Sequence, residues 1–351
     1  MGQPAFRGAI TALVTPFGAD GGVDFDGLEK NIDFQLSQGI SGVVPTGTTG
    51  ESPTLTWEEH NKVIERTVAR AAGRAFVLAG TGSNATHEAI EATQHARDAG
   101  ATGSLLVDCY YNGPSSLELR EEYYAAVAAA APGFPLVPYV LPGRTGTVLL
   151  PEDLAILRHE HPQFAAVKEA TGDLTRMKRT RQLCGPDLAI LSGDDDITLK
   201  MMLDKAIAAA GVISVVTNVA PGAIAAMVAA AAAGDAKKAQ DLGGRLTPLF
   251  KLVTVKVQSE RRFPWGGSAT VEDRFRNPSG IKTMLAGLGM PAGSFRRPLG
   301  KMTRAGVEIV RNALRVVWKE SPEILKPIEP FYGIDIASRL SDDRGWESLA
   351  R

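Results

Sequence analysis

The chain has 351 residues, 44% hydrophobic and 22% charged, a balance that fits a globular protein able to bury a sizeable core. Its 38 basic and 39 acidic residues leave a net charge of −1, which removes any broad electrostatic case for nucleic acid or an anionic membrane surface. Only two cysteines, no signal-peptide pattern at residues 1–4 and an alanine-rich run at 223–233 too short to span a bilayer together give the expectation of a soluble cytoplasmic protein.

Along the first 235 residues, short apolar β-branched runs alternate with helical patterns. The runs fall at residues 9–14, 42–45, 75–79, 104–107, 136–140, 165–167, 189–191 and 211–216. Eight buried strands, most followed by a helix, predict a parallel (β/α)8 barrel of the TIM type over residues 1–235. Helix boundaries are written beside them. Asp24 caps a stripe formed by Phe25, Leu28, Ile32 and Leu36, which Gly39 ends. Thr56 and Glu59 form a capping box, and Pro151 suits a first helical turn. Beyond 235 the alternation stops, and helices are expected at 237–253, 279–288 and 303–319. The expected C-terminal helical region, 236–351, contains an inserted loop at about 258–276. Its tail after 319, with Pro327, Pro330 and Gly333, reads as an arm on the surface or across a neighbouring subunit.

In such a barrel the chemistry sits where strands end. Strand 2 ends in Gly47-Thr48-Thr49-Gly50-Glu51, strand 4 in Tyr110-Tyr111-Asn112 and strand 6 in Lys168-Glu169. Strand 5 holds Tyr139, with Arg144 after it, and strand 7 leads into Asp194, Asp195 and Asp196. A lysine at the end of a buried strand loses the solvation that favours its ammonium, which frees the amine to attack a ketone. The alternative is a barrel lysine paired with Glu169 or Asp194. The glycine-threonine turn offers backbone N–H groups and two hydroxyls to a carboxylate, or is simply a tight turn satisfied locally. Tyr139 and Tyr111 are able to pass protons while a carbinolamine sheds water, or are core residues. Arg144 is suited to hold a second carboxylate through a bidentate fork, or is a surface arginine. The three aspartates read as strand-end capping rather than a metal site, and His159 and His161 as a solvated loop. Cys109 has no base beside it and reads as structural.

Together these stretches resemble the dihydrodipicolinate synthase and N-acetylneuraminate lyase family. The matching segments are TALVTPF at 11–17, GTTGE at 47–51, YYN at 110–112, YVLPGRTG at 139–146, VKEATG at 167–172, LSGDD at 191–195 and GVIS at 211–214. The resemblance implies a Schiff-base lyase in which Lys168 condenses with pyruvate and Tyr139 moves the protons. It implies that Thr48 and Tyr111 complete a hydroxyl relay, with Tyr111 arriving from an adjacent subunit. Gly47, Thr49 and Ile213 would hold pyruvate, and Arg144 the carboxylate of an aldehyde. GTTGE, YYN and that arginine look like the synthase branch, which joins pyruvate to L-aspartate 4-semialdehyde in lysine biosynthesis. The alternative is a 2-keto-3-deoxy-sugar-acid aldolase or dehydratase, and a less favoured one is a catalytically inactive keto-acid-binding protein. Ser52, His60, Asn84, Glu88 and Tyr110 match positions of a lysine-regulatory site, with Trp57 standing where sensitive enzymes carry histidine. No cofactor or metal is implied, and the expected assembly is a homotetramer built as a dimer of dimers.

Overall fold

The computed structural model describes residues 6–351; residues 1–4, read above for targeting, lie outside the described residues. Eight strands close into a barrel in chain order among the described residues. They are β1 Gly8–Ala12, β2 Gly42–Val44, β3 Phe76–Gly80, β4 Gly103–Val107, β5 Leu136–Val140, β6 Ala166–Glu169, β7 Ala189–Ser192 and β8 Gly211–Ser214. Every neighbouring pair is parallel, and β8 closes on β1 through the register Ile10 to Ile213. The strands are buried almost throughout, because the barrel interior takes one face and a ring of helices the other. That is why they read in sequence as unbroken apolar runs.

The helices begin where their capping residues stand. Asp24 accepts from the Gly27 N–H at the head of the helix Phe25–Ser37, and Gly39 follows its end at φ 76°. Thr56 and Glu59 bond reciprocally at the head of the helix Trp57–Ala71, and Pro151 opens Pro151–Glu160. Such caps contribute roughly 1 kcal/mol each and set the angle at which each helix leaves the barrel rim. None of the helices in the described residues is long and apolar enough to cross a membrane.

Two features of the C-terminal region differ from expectation. The segment read as a loop at 258–276 is part of an antiparallel hairpin, β9 Thr254–Arg262 and β10 Ser268–Arg276. Its turn closes where Phe263 N–H donates to Gly267 O, with Gly266 and Gly267 both at positive φ. Only Val255 and Val257 are buried along β9, and the same face continues as Ser259 and Arg261, so the apolar alternation is too short to announce a strand. Nor is the tail an arm. Leu325, Ile328, Ile336, Leu340 and Trp346 join the same hydrophobic cluster as the barrel residues Ile10, Val44 and Leu78. The prolines that suggested an extended arm sit at or inside short helical turns, Pro322–Ile324 and Ile328–Tyr332. The helices Ala236–Phe250, Ser279–Leu288 and Arg304–Glu320 lie near their expected bounds.

Candidate active site

Lys168 and Tyr139 are register partners on β6 and β5, so both side chains leave the sheet in the same direction, toward the barrel axis. Lys168 is 5% exposed, and its Nζ lies 3.9 Å from the centroid of the Tyr139 ring. Burial pulls its ammonium down to about 8 from the ordinary 10.5. Asp194 and Asp195 pull it part of the way back up, and Arg144 pushes it further down. Among the described residues Lys168 has no ion pair, which answers the alternative of a lysine neutralised by an acid. Glu169, one residue on, alternates to the opposite side and meets Arg176 at 3.3 Å. Space for the lysine arm comes from Gly193. A Cβ there would stand 2.6 Å from Ala170 Cβ and 3.2 Å from Lys168 Cε.

Tyr139 is buried, and that raises its phenol above the ordinary range, while Arg144 and a hydrogen bond with Thr48 oppose the shift. The phenol is thus held protonated beside the amine. Thr48 and Thr49 ride on the turn after β2, which closes through Gly50 N–H to Gly47 O at 3.0 Å and Ser52 N–H to Gly47 O at 3.3 Å. The turn presses so closely on the end of β3 that a Cβ on Gly80 would stand 2.5 Å from Thr46 O. Thr49 is buried, and its hydroxyl accepts from Asn277 Nδ2 at 2.9 Å. A cavity of about 480 Å³ gathers Gly47, Thr48, Thr49, Tyr139, Arg144 and Lys168. Arg144 stands at its mouth and donates to Asn277 O at 2.9 Å.

Two expected site residues lie apart from this cavity. Ile213 is fully buried in β8, and it is Val215, two residues on, that lines the wall. Tyr111 is 90% exposed at φ 79°, pointing away from its own chain's site in a backbone conformation that tyrosine rarely adopts. Of the three aspartates, Asp195 accepts from the Val215 and Val216 N–H groups at 3.1 and 3.2 Å, which pins the end of β8. Burial raises its carboxyl to about 6. The Cys109 thiol is pushed up to about 12, chiefly by burial, which suits an unreactive side chain.

A second cavity, of about 430 Å³, shares Thr48, Tyr139 and Arg144 with the first. Ser52, His60, Glu88 and Tyr110 line it; Asn84 is exposed beside it and accepts from Ser83 Oγ at 3.4 Å. His60 bonds Gly80 O at 3.0 Å, takes the edge of Trp57 at 5.0 Å, and is held neutral by burial with a pKa of about 4.

Sequence reasoning missed the residues that brace this site. Lys282 Nζ donates to Glu51 at 2.6 Å, with both side chains fully buried. It also donates to Thr15 O and Ser294 O, at 3.2 and 2.7 Å. Glu51 is the last residue of the GTTGE stretch and sits at φ 56°, so this ion pair fixes the turn that carries Thr48 and Thr49. Asn277 ties that turn to Arg144 across the cavity.

A model of the dihydrodipicolinate synthetase family matches residues 5–261. The chain belongs to that family. Within it, a 4-hydroxy-tetrahydrodipicolinate synthase from Methanothrix thermoacetophila is 43% identical over 310 residues, covering 88% of this chain and 96% of the relative. The solved dihydrodipicolinate synthase of Aquifex aeolicus is 39% identical, covers 92% of this chain and all of its own, and superposes with a TM-score of 0.80. A further family structure, from Cyanidioschyzon merolae with lysine bound, is 34% identical with a TM-score of 0.79, covering 89% of this chain and 98% of its own. Matches of this length and identity place the barrel, the turn after β2 and the β5–β6 pair within one dihydrodipicolinate synthetase framework.

Proposed function

We infer that this chain carries out the 4-hydroxy-tetrahydrodipicolinate synthase reaction, joining pyruvate to L-aspartate 4-semialdehyde. The observation that carries the reading is the buried Lys168 amine against the Tyr139 ring, at the base of a cavity with Arg144 at its mouth. With a pKa of about 8, roughly a quarter of the amine is neutral at pH 7.5, against about one part in a thousand for an ordinary lysine. The neutral amine attacks the keto carbon of pyruvate. Tyr139 donates a proton to the departing hydroxyl and takes one back from the methyl carbon, with Thr48 as its hydrogen-bonding relay. The resulting enamine attacks the aldehyde, whose carboxylate Arg144 receives. The amine of the new product then displaces Lys168 by cyclising.

Gly47, Thr49 and the backbone near Ile213 are proposed to hold pyruvate. Tyr111, exposed and strained on its own surface, is proposed to complete the relay in a second copy. The assembly would then be a homo-oligomer, with the dimer as its minimal active unit and the tetramer as its full form, working in the cytoplasm. Borohydride reduction in the presence of pyruvate should add mass at Lys168. A coupled assay should show turnover with L-aspartate 4-semialdehyde and little with 2-keto-3-deoxy sugar acids. An unmodified Lys168, or the reverse substrate preference, overturns the reading.

The second cavity supports a regulatory reading. Ser52, His60, Asn84, Glu88 and Tyr110 are proposed to bind L-lysine, a ligand that the structure of the Cyanidioschyzon merolae relative contains. Initial rates falling as L-lysine rises to millimolar levels would support this, and a flat response would discard it.

A further inference from the structure

The hairpin carries two different faces. Its register sets Arg274 opposite Lys256 and Arg276 opposite Thr254. With side chains alternating along each strand, Val255, Val257 and Phe275 fall on one face and join the hydrophobic cluster that includes Val307 and Val310 of the helix Arg304–Glu320. Lys256, Arg274 and Arg276 fall on the other, and all three line the mouth of the cavity above Lys168. The base of the hairpin is stitched to the segment after β5 by two crossed bonds. Arg276 donates to Gly143 O at 3.0 Å, and Arg144 donates to Asn277 O at 2.9 Å. Those bonds bring the two guanidiniums close together; burial is the main cause that lowers the Arg144 pKa, and the charge of Arg276 adds to it while Tyr139 opposes it.

The charge balance of this mouth is uneven. Arg274 is paired with Glu272 at 2.6 Å, but Arg144, Lys251, Lys256 and Arg276 have no ion pair among the described residues. The acids on the same cavity are Asp194, Asp195 and Asp196 at the end of β7, and Asp195 is already spent on the Val215 and Val216 N–H groups. Placing like charges opposite one another in a ladder, as Lys256 and Arg274 are, costs stability. An anion drawn in between these cations would relieve that repulsion.

We propose that the hairpin forms a cationic wall over the active site, in which Arg276, backed by Lys256 and Arg274, shares with Arg144 the anionic group of the electrophile. This rests on the synthase reading above and deepens it. The pyruvate half of the site, at Thr48, Thr49 and Lys168, lies below and takes no part. The wall therefore sets the preference for a charged over a neutral aldehyde.

The test is steady-state kinetics on the full chain, comparing the native protein with Arg276→Gln and with Arg262→Gln, whose side chain is 86% exposed near the hairpin tip. Loss of a charge-assisted bond at this exposed position on the cavity rim should raise the KM for L-aspartate 4-semialdehyde about tenfold. The KM for pyruvate, the yield of borohydride trapping and the kcat should stay within about twofold, because no group that touches pyruvate is changed. The ratio of kcat/KM for the semialdehyde to that for neutral propanal should fall by the same factor, and Arg262→Gln should alter nothing. Lys256→Gln, which leaves the bond to Gly143 intact, should move the ratio the same way by a smaller amount. If both KM values move together, or if the substrate ratio is unchanged in both wall variants, the hairpin is only a brace and the proposal is overturned. A native protein that traps pyruvate but ignores the semialdehyde would instead overturn the functional reading, and this inference with it.

Discussion

Replacing Lys168 by methionine should abolish activity and make the protein more stable at neutral pH. The Lys168 side chain is 5% exposed, and burial lowers its pKa to about 8 from 10.5. Between those two pH values the unfolded chain binds a proton at this position that the folded chain does not, so the stability of the native protein rises with pH across that window. Below it, the folded protein must either bury an ammonium or release its proton. A shift of about 2.5 units corresponds to roughly 3 kcal/mol at pH 7, shrinking to under about 1 kcal/mol by pH 10. Methionine keeps the length and apolar stem while removing the charge. Urea unfolding of both proteins at pH 7 and pH 10 measures the difference, in which contributions from all other groups cancel. The expected result is a variant more stable by up to about 3 kcal/mol at pH 7, with the gap largely closed at pH 10. A variant less stable than the parent at pH 7, or a gap independent of pH, would refute the claim that the cavity disfavours the ammonium.

Tyr139→Phe should lower kcat about 100- to 10,000-fold while pyruvate still becomes trapped on Lys168, more slowly; mass spectrometry with stopped trapping times checks both. Lys282→Met strands the fully buried Glu51 carboxylate and should cost about 3–5 kcal/mol in urea unfolding, and adding Glu51→Gln should recover much of the loss. Gly193→Ala places a Cβ 2.6 Å from Ala170 Cβ and against the lysine arm. It should cost about 1–3 kcal/mol of stability and slow trapping, while Gly244→Ala, where nothing stands within 4 Å, should do neither.

The parts of this molecule that sequence reveals are those governed by short-range rules. Each barrel strand is buried on both sides, so its run of apolar residues is unbroken and its position readable. Caps such as Asp24 and Thr56 act within three residues and announce themselves. Lys168 and Tyr139 stood out because polar groups at the ends of buried strands are unusual. The hairpin was hidden because the face that carries Val255, Val257 and Phe275 also carries Ser259, Arg261 and Asp273, so its apolar alternation breaks off after a few residues, although Gly266-Gly267 marked its turn. Asn277 and Lys282 could not be found locally. Their partners, Thr49 and Glu51, lie 228 and 231 positions away, and only the closed fold brings them together. The tail misled because its prolines and Gly333 punctuate helical turns too short to show a period, while its buried Ile328, Ile336 and Trp346 are spaced irregularly.

That tail has a bearing on how the chain is made. Phe331 packs tilted and Tyr332 edge-to-face against Phe34, each with ring centroids 5.2 Å away, and the Tyr332 hydroxyl donates to Asn31, 301 positions earlier. The first helix off the ribosome therefore waits for one of the last segments before its greasy flank is covered. With synthesis running at about 5–20 residues per second, that flank stays bare for some 15–60 seconds, long enough for a chaperone to be its first neighbour.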